Sequence, residues 1–159
     1  MVERVSVRLP PFERFLEANR TIVERFLIAA VGPEYADDVF QETFLSALRA
    51  YPRCTEPARL DRWVLRIASR KAIDHHRRRG RDPVPLAEVP DRPSSGEPDA
   101  ADAVLWKAVD GLPPKQRVAV VHRHVLDRPY DEIAELLGCS EDAARANVSA
   151  GVRNLRERL

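Results

Sequence analysis

Apolar residues recur every three or four positions along most of this chain, a spacing that predicts α-helices rather than strands. Gly32 and Pro33 end the first apolar run, and Pro57 suits the first turn of a later helix. The predicted helices cover residues 12–31, 34–51, 57–80, 103–109 and 112–125, with two more on either side of Gly138. The pattern therefore predicts an all-α fold.

A Pro-rich segment divides the predicted helices into two groups. Residues 80–101 contain five prolines and two glycines with little periodic apolar content, which is typical of a linker. Lys and Arg outnumber Asp and Glu by 15 to 11 in residues 1–80, whereas residues 81–101 hold 2 against 5 and residues 102–159 hold 9 against 9. We therefore expect two small helical lobes, 1–80 and 102–159, joined by a flexible acidic linker, with the cationic excess in the first lobe.

The third predicted helix has two different faces. At 100° per residue, one apolar face that is expected to pack holds Leu60, Trp63, Val64, Ile67 and Ala68. The opposite face carries Arg62, Arg66, Ser69, Arg70, Ile73 and Arg77. Arginines on this face could simply be exposed to solvent. The planar guanidinium group of arginine is, however, also well suited to binding phosphate. An exposed Ile73 among them would suit contact with nucleic-acid bases.

The second predicted helix is also two-sided. The side expected to face the core holds Ala36, Val39, Phe40, Phe44, Ala47 and Leu48. The other side holds Asp37, Asp38, Gln41, Glu42 and Leu45. An acidic face with a central leucine is chemically suited to contact with a protein partner.

The clearest local signal lies near the end of the chain. Gly138 fits a left-handed turn after a short amphipathic helix, and Ser140 fits the N-cap of the next helix, which predicts a helix-turn-helix. In its second helix the residues expected to point inward are Ala144, Val148, Val152 and Leu155. Those expected to point outward, where they could reach base edges or phosphate in a major groove, are Arg145, Ser149, Arg153 and Arg156. The alternative is a plain helical hairpin.

Taken together, these stretches resemble the extracytoplasmic-function (ECF) group of bacterial RNA polymerase sigma factors, over roughly residues 12–159. DDVFQETFLSAL (37–48) is similar to the core-binding helix of sigma region 2, and DRWVLRIASRKAIDHHRRR (61–79) to its promoter-melting helix. LPPKQR (112–117) and YDEIAELLGCS (130–140) are similar to the helix-turn-helix of region 4. Three motifs in the family's order are more specific than any one of them.

The resemblance implies a role for each surface. Residues implied to bind core polymerase, at the clamp helices of its beta-prime subunit, are Asp37, Asp38, Gln41, Glu42 and Leu45. Residues implied to hold the minus-10 element are Arg62, Arg66, Arg70, Ile73, Arg77 and Arg78, with the loop 52–61 near an unstacked base. Residues implied to read the minus-35 element are Arg145, Ser149, Arg153 and Arg156. The implied partners are the polymerase, including its beta flap, promoter DNA and an anti-sigma factor.

Two other classes of function compete with this interpretation. A stand-alone helix-turn-helix regulator would bind DNA without polymerase, but such proteins usually dimerise, and no separate dimerisation helix is left over. An enzyme would have to use the histidines at 75, 76, 122 and 124, yet His122 and His124 point about 200° apart on a helix and cannot chelate one metal together. We therefore expect no catalysis, no metal site and no cofactor.

The remaining features point to an ordinary intracellular protein. Cys54 and Cys139 are far apart and lack the companions of a disulfide framework or zinc site, so reduced thiols are expected. No apolar run reaches the roughly 20 residues of a membrane span, and the N-terminus lacks the apolar core of a secretory signal. A cytoplasmic protein without membrane contact is the expectation.

Overall fold

The computed structural model describes residues 8–81 and 100–159, and the chain is all-α within these ranges, as predicted. The helices are α1 (Phe12–Val31), α2 (Pro33–Ala50), α3 (Leu60–Arg81), α4 (Ala100–Asp110), α5 (Pro114–His124), α6 (Tyr130–Leu137) and α7 (Glu141–Arg158). Two short 3₁₀ turns, Tyr51–Arg53 and Pro57–Arg59, connect α2 to α3. The third helix therefore begins at Leu60 rather than at Pro57.

The first lobe is a three-helix unit formed by α1, α2 and α3 around an aromatic cluster. The ring of Phe15 lies 5.1 Å from that of Tyr51, 5.7 Å from that of Trp63 and 6.0 Å from that of Phe44, centroid to centroid. Phe15 and Phe44 are almost wholly buried, and aromatic side chains of this size contribute strongly to a core. This cluster fixes the N-terminal end of α3 against α1 and α2.

The second lobe contains the helix-turn-helix formed by α6 and α7. Gly138 ends α6 in the left-handed region, at φ 65° and ψ 39°, and the Ser140 hydroxyl accepts a hydrogen bond from the Ala143 backbone N–H at 3.1 Å. Helix α7 also packs closely on α5, because a Cβ at Gly151 would lie only 2.5 Å from Cγ2 of Val120. The turn and the close packing together orient α7 relative to the rest of its lobe.

The two lobes share one hydrophobic core. Val118 and Val121 of α5 and Leu136 of α6 are buried in the same cluster as the core residues of α1, α2 and α3. A smaller cluster under the helix-turn-helix is built around Ile133 and Val148. The periodicity of the sequence does not predict this arrangement, in which α5 and α6 cover part of α3.

Several positions differ from the expected pattern because of this packing. Ser69, expected on the outer face of α3, is fully buried, and Ile73, expected to be exposed, is half-buried against the shared core. Leu48, expected to face the core, is 49% exposed, whereas Leu65, which the two-face pattern omits, is fully buried. Packing of the second lobe on α3 therefore covers positions that the two-faced pattern places in solvent.

Candidate nucleic-acid interface

Helix α3 carries the accessible part of its cationic surface from Arg70 onward. Arg70, Arg77 and Arg78 are exposed. Arg77 and Arg78 line an open cleft of about 660 Å³, whose other lining residues are Glu42, Lys71 and Asp74. Guanidinium groups that reach solvent at such a cleft are able to contact a phosphate backbone.

The first two turns of α3 are different, because both of the predicted DNA-binding arginines there already have carboxylate partners. Arg66 forms an ion pair with Glu56 of the α2–α3 connection at 3.6 Å. Arg62 donates from Nε to Glu132 Oε1 at 2.7 Å and from Nη1 to Glu135 Oε2 at 3.2 Å, and both acids belong to α6. Burial alone would lower the pKa of Arg62, because it disfavours the charged guanidinium. The hydrogen bond to Glu132 and the negative charge of Glu132 outweigh this effect of burial, so the pKa of Arg62 is raised.

The connection before α3 forms a second cleft, of about 400 Å³, beside Arg62. Its lining residues are Thr55, Glu56, Pro57, Ala58, Arg59, Arg62 and Glu135. The loop implied to receive an unstacked base is therefore adjacent to a carboxylate of the other lobe. Nothing in the local sequence of the loop signals this neighbour.

A buried polar contact joins the lobes at the middle of α3. The Ser69 hydroxyl donates to the Leu65 carbonyl at 2.7 Å and lies 2.7 Å from Nε2 of His122. Because the hydroxyl has one proton, Nε2 of His122 carries the hydrogen in this contact, and its Nδ1 is buried without a partner. The imidazole also stacks on Phe26, at 4.5 Å between centroids and 9° between planes. Burial and then the charge of Arg128 lower the pKa of His122 to about 3, so this ring is neutral.

The acidic face of α2 is exposed as predicted. Asp37, Asp38, Gln41 and Glu42 are all exposed, and Leu45 is 54% exposed. Leu48 extends the apolar part of this face. Glu42 lies 3.5 Å from Arg78, so the acidic face of α2 adjoins the cationic end of α3.

The outward face of α7 forms a third surface. Arg145, Ser149, Arg153 and Arg156 are exposed as predicted, and the last three line an open cleft of about 340 Å³ together with Tyr130 and His124. Arg145 is held by Glu141 at 2.9 Å. This face has the residue types that contact base edges and phosphates in a major groove.

Tyr130 and His124 are surface residues that the sequence reasoning missed. The guanidinium carbons of Arg123 and Arg145 lie 4.4 Å and 4.5 Å from the centroid of the Tyr130 ring, which orients both arginines. The signal that could have found Tyr130 is its position at the first residue of the first helix of the helix-turn-helix. His124 lies at the end of α5 and is exposed, whereas His122, two residues earlier, is buried.

The described part of the chain offers neither a metal site nor a membrane-spanning helix. Residues 8–81 and 100–159 hold no group of three or more His, Cys, Asp or Glu residues that could hold a metal ion. Over the same ranges, no helix is both long enough and apolar enough to cross a membrane.

Comparison with known proteins matches both lobes. The profile of Sigma-70 region 2 matches residues 12–82, and that of Sigma-70, region 4 matches residues 102–155. The RNA polymerase sigma factor CarQ of Myxococcus xanthus is 34% identical over 93% of this chain and 88% of its own length. The ECF RNA polymerase sigma factor SigE of Mycolicibacterium smegmatis is 30% identical over 95% of this chain, which spans 62% of the length of that relative.

A solved structure has a similar fold. The sigma factor RpoE of Bartonella quintana, crystallised with the anti-sigma factor NepR, superposes with a TM-score of 0.72 at 24% identity. The match covers 92% of this chain and 95% of that one. Because the two sequences are only 24% identical, this likeness shows that the fold is shared and is used for the fold alone.

Proposed function

Because this chain belongs to the ECF group of RNA polymerase sigma factors, we propose that it binds core RNA polymerase and directs it to specific promoters. The observation that carries the proposal is the presence of region 2 and region 4 in one chain, in the family's order. The protein then acts as an initiation factor without catalysis of its own, in the cytoplasm, where the polymerase works.

The proposal assigns a task to each exposed surface. The acidic face of α2, with Asp38, Glu42 and Leu45, binds the clamp helices of the beta-prime subunit. Helix α3 holds the minus-10 element as it opens, since cationic side chains grip the strand while bases are captured. The residues assigned to this contact are Arg62, Arg66, Arg70, Ile73, Arg77 and Arg78. Helix α7 reads the minus-35 element as duplex, through Arg145, Ser149, Arg153 and Arg156.

The division of labour between lobes follows the same proposal. Residues 1–80 form the polymerase-binding and minus-10 lobe, and 102–159 the minus-35 lobe that also meets the beta flap. The linker predicted over 81–101 lies outside the described residues, apart from residue 81 at the end of α3 and residues 100–101 at the start of α4. Since the solved relative RpoE was crystallised with an anti-sigma factor, we propose that a protein of this kind also controls the present chain.

The proposed function is tested by transcription from fragmented genomic DNA of the source organism with its core polymerase, with and without this protein. Mapping of new 5′ ends is expected to give defined starts that share a two-part upstream element. No new starts, with folded protein and active core, would instead favour a stand-alone helix-turn-helix regulator.

A matched pair of variants makes this experiment specific for the α2 surface. Asp38→Lys with Glu42→Lys is expected to abolish core binding and all new starts, because both charges lie on the proposed docking face. Glu13→Lys with Glu17→Lys makes the same change in charge on exposed positions of α1. The assignment of α2 is wrong if both pairs bind core polymerase equally well.

A further inference from the structure

The first turns of α7 carry few cations for a helix that the proposed function places against DNA. In a helix-turn-helix, the N-terminal residues of the second helix contact base edges in the major groove. We call the exposed side chains of residues 141–149 the reading surface; they are Glu141, Asp142, Arg145, Ala146 and Ser149. Arg145 is the single cation among them. The choice of bases therefore depends on this arginine together with uncharged or acidic neighbours.

Ala146 lies at the centre of the reading surface. It is two residues from Ala144 and two residues from Val148, and both of these are buried under the helix-turn-helix. Because successive residues are about 100° apart around a helix, Ala146 points about 160° away from each of them and so away from the core of its lobe. Its side chain is exposed. The central contact that α7 offers to a base edge is therefore a methyl group.

A methyl group at this position discriminates between bases by what it cannot do. The major-groove edges of guanine, adenine and cytosine present hydrogen-bond donors or acceptors, whereas thymine adds an apolar C5-methyl group. A donor or acceptor covered by the methyl of Ala146 would lose its water without gaining a partner, which is unfavourable. Contact between two methyl groups instead removes apolar surface from water. Ala146 therefore favours thymine.

Arg145, the neighbour of Ala146, is held in position for a second base. Its Nη2 lies 2.9 Å from Oε1 of Glu141, and its guanidinium carbon lies 4.5 Å from the centroid of the Tyr130 ring. The ion pair is exposed and uses one of the five N–H donors of the arginine, so other donors remain for a base. The specific partner that suits an arginine fork in the major groove is guanine, through O6 and N7.

We propose that Ala146 is a specificity-determining residue of α7, which contacts the methyl group of a thymine beside the guanine bound by Arg145. This inference rests on the proposed function, because it takes α7 as the reader of the minus-35 element. Neighbouring residues of a helix differ by 1.5 Å in rise, whereas base pairs are stacked 3.4 Å apart. The two contacts therefore fall on the same step of the duplex, so the element contains the guanine and the thymine within about two base pairs of each other, on either strand.

The first experiment identifies the bases that the protein selects. The full chain is used to select duplexes from a randomised pool at low salt, about 50 mM, where electrostatic contacts are strong. Sequencing is expected to show a conserved guanine with a conserved thymine within about two base pairs. That thymine is then replaced by deoxyuridine, which lacks the methyl group. Fluorescence anisotropy with the labelled duplex should show Kd rising about fourfold, the value for burial of one methyl group.

A matched pair of variants attributes the methyl effect to Ala146. Ala146→Gly removes the proposed contact and should bind the thymine and deoxyuridine duplexes equally well. Ala143→Gly is the same substitution in the same helix, at a half-buried position, and should keep the fourfold ratio. Both variants weaken α7 to a similar degree, and the ratio of two affinities is insensitive to that loss.

A third variant should change the preference rather than remove it. The amide of asparagine pairs with N6 and N7 of adenine, so Ala146→Asn should select adenine at the position where wild type selects thymine. A folding defect cannot produce a new preference. The inference is overturned if wild type binds thymine and deoxyuridine equally, if Ala146→Gly keeps the wild-type ratio, or if no sequence is selected.

The transcription assay separates this inference from the proposed function. If the methyl effect is found but no new starts appear with core polymerase, the base contact stands and the proposed function is wrong. If new starts appear while wild type does not distinguish thymine from deoxyuridine, the proposed function stands and the role of Ala146 is wrong.

Discussion

The buried imidazole of His122 should make the stability of the protein depend on pH in a way that can be calculated. The pKa of His122 is about 3 in the folded chain, against an ordinary value of 6.5. Between these values the unfolded chain binds a proton that the folded chain cannot accept, because the proton would have to go on the unpartnered Nδ1. The free energy of unfolding is therefore unaffected by this group above pH 6.5 and falls as the pH drops from 6.5 toward 3.

The size of the effect follows from the two pKa values. Each pH unit in this window removes about 1.4 kcal/mol, and pH 5.0 lies about 1.5 pH units below the ordinary pKa. His122 alone should therefore lower the free energy of unfolding by about 2 kcal/mol between pH 7.5 and pH 5.0. Burial also lowers the pKa of His76, to about 4. The free energy of unfolding of the whole protein should therefore fall by more than the contribution of His122 alone.

A variant without the titrating ring isolates the contribution of His122. His122→Phe retains an aromatic ring to stack on Phe26, and the Ser69 hydroxyl keeps the Leu65 carbonyl as its acceptor. Urea unfolding, followed by circular dichroism at pH 7.5 and pH 5.0, should show a loss about 2 kcal/mol smaller in the variant than in wild type. His124→Phe, an exposed histidine on the same helix, is the control and should keep the wild-type dependence.

The comparison uses the change with pH and not the absolute stability, so a general packing defect in the variant does not affect it. Equal losses in wild type and His122→Phe would refute the reasoning. They would mean that the ring gains a proton in the folded state or reaches water there.

Three further predictions concern the second lobe. Ser140→Ala removes the N-cap of α7 and should cost about 1 kcal/mol in thermal unfolding, whereas Ser140→Asn should restore most of it. Gly151→Val places side-chain atoms where Val120 already packs and should cost about 1–3 kcal/mol by calorimetry; a neutral result would mean that α5 and α7 separate freely. Asp110→Ala removes the carboxylate that lies 2.6 Å from the buried guanidinium of Arg117 and should cost about 3 kcal/mol, because it leaves a buried charge without this partner. Arg117→Met should cost less, and the reverse order in urea unfolding would contradict this account.

The sequence pattern correctly predicts those features of the fold that depend only on residues close together in the chain. The caps at Gly138 and Ser140 and the exposed acidic face of α2 follow from helical periodicity and from the preferences of single residues. The outward positions of α7 were predicted for the same reason, since few contacts from elsewhere cover them. These features need only a few neighbouring residues to be specified.

The errors lie where the second lobe packs on the first. Ser69 shares a helical face with exposed arginines, but it is buried because His122, 53 residues away, lies against it. The two partners of Arg62, Glu132 and Glu135, are 70 and 73 residues away in the chain. Helical periodicity describes the faces of one helix and does not indicate which face a distant segment will cover. Helical periodicity therefore could not predict that Arg62 is already paired with carboxylates of the other lobe.

The position of Arg62 also constrains how such a protein can change over evolution. Its guanidinium donates to Glu132 and Glu135 of α6, and the proposed contact with the minus-10 element needs the same donors. A substitution at Arg62 therefore alters the lobe contact and the proposed promoter contact together, so neither can be selected independently there. Glu132 and Glu135 bear on the lobe contact alone, so α6 is the place where relatives could differ in how firmly the lobes pack while they keep the same promoter.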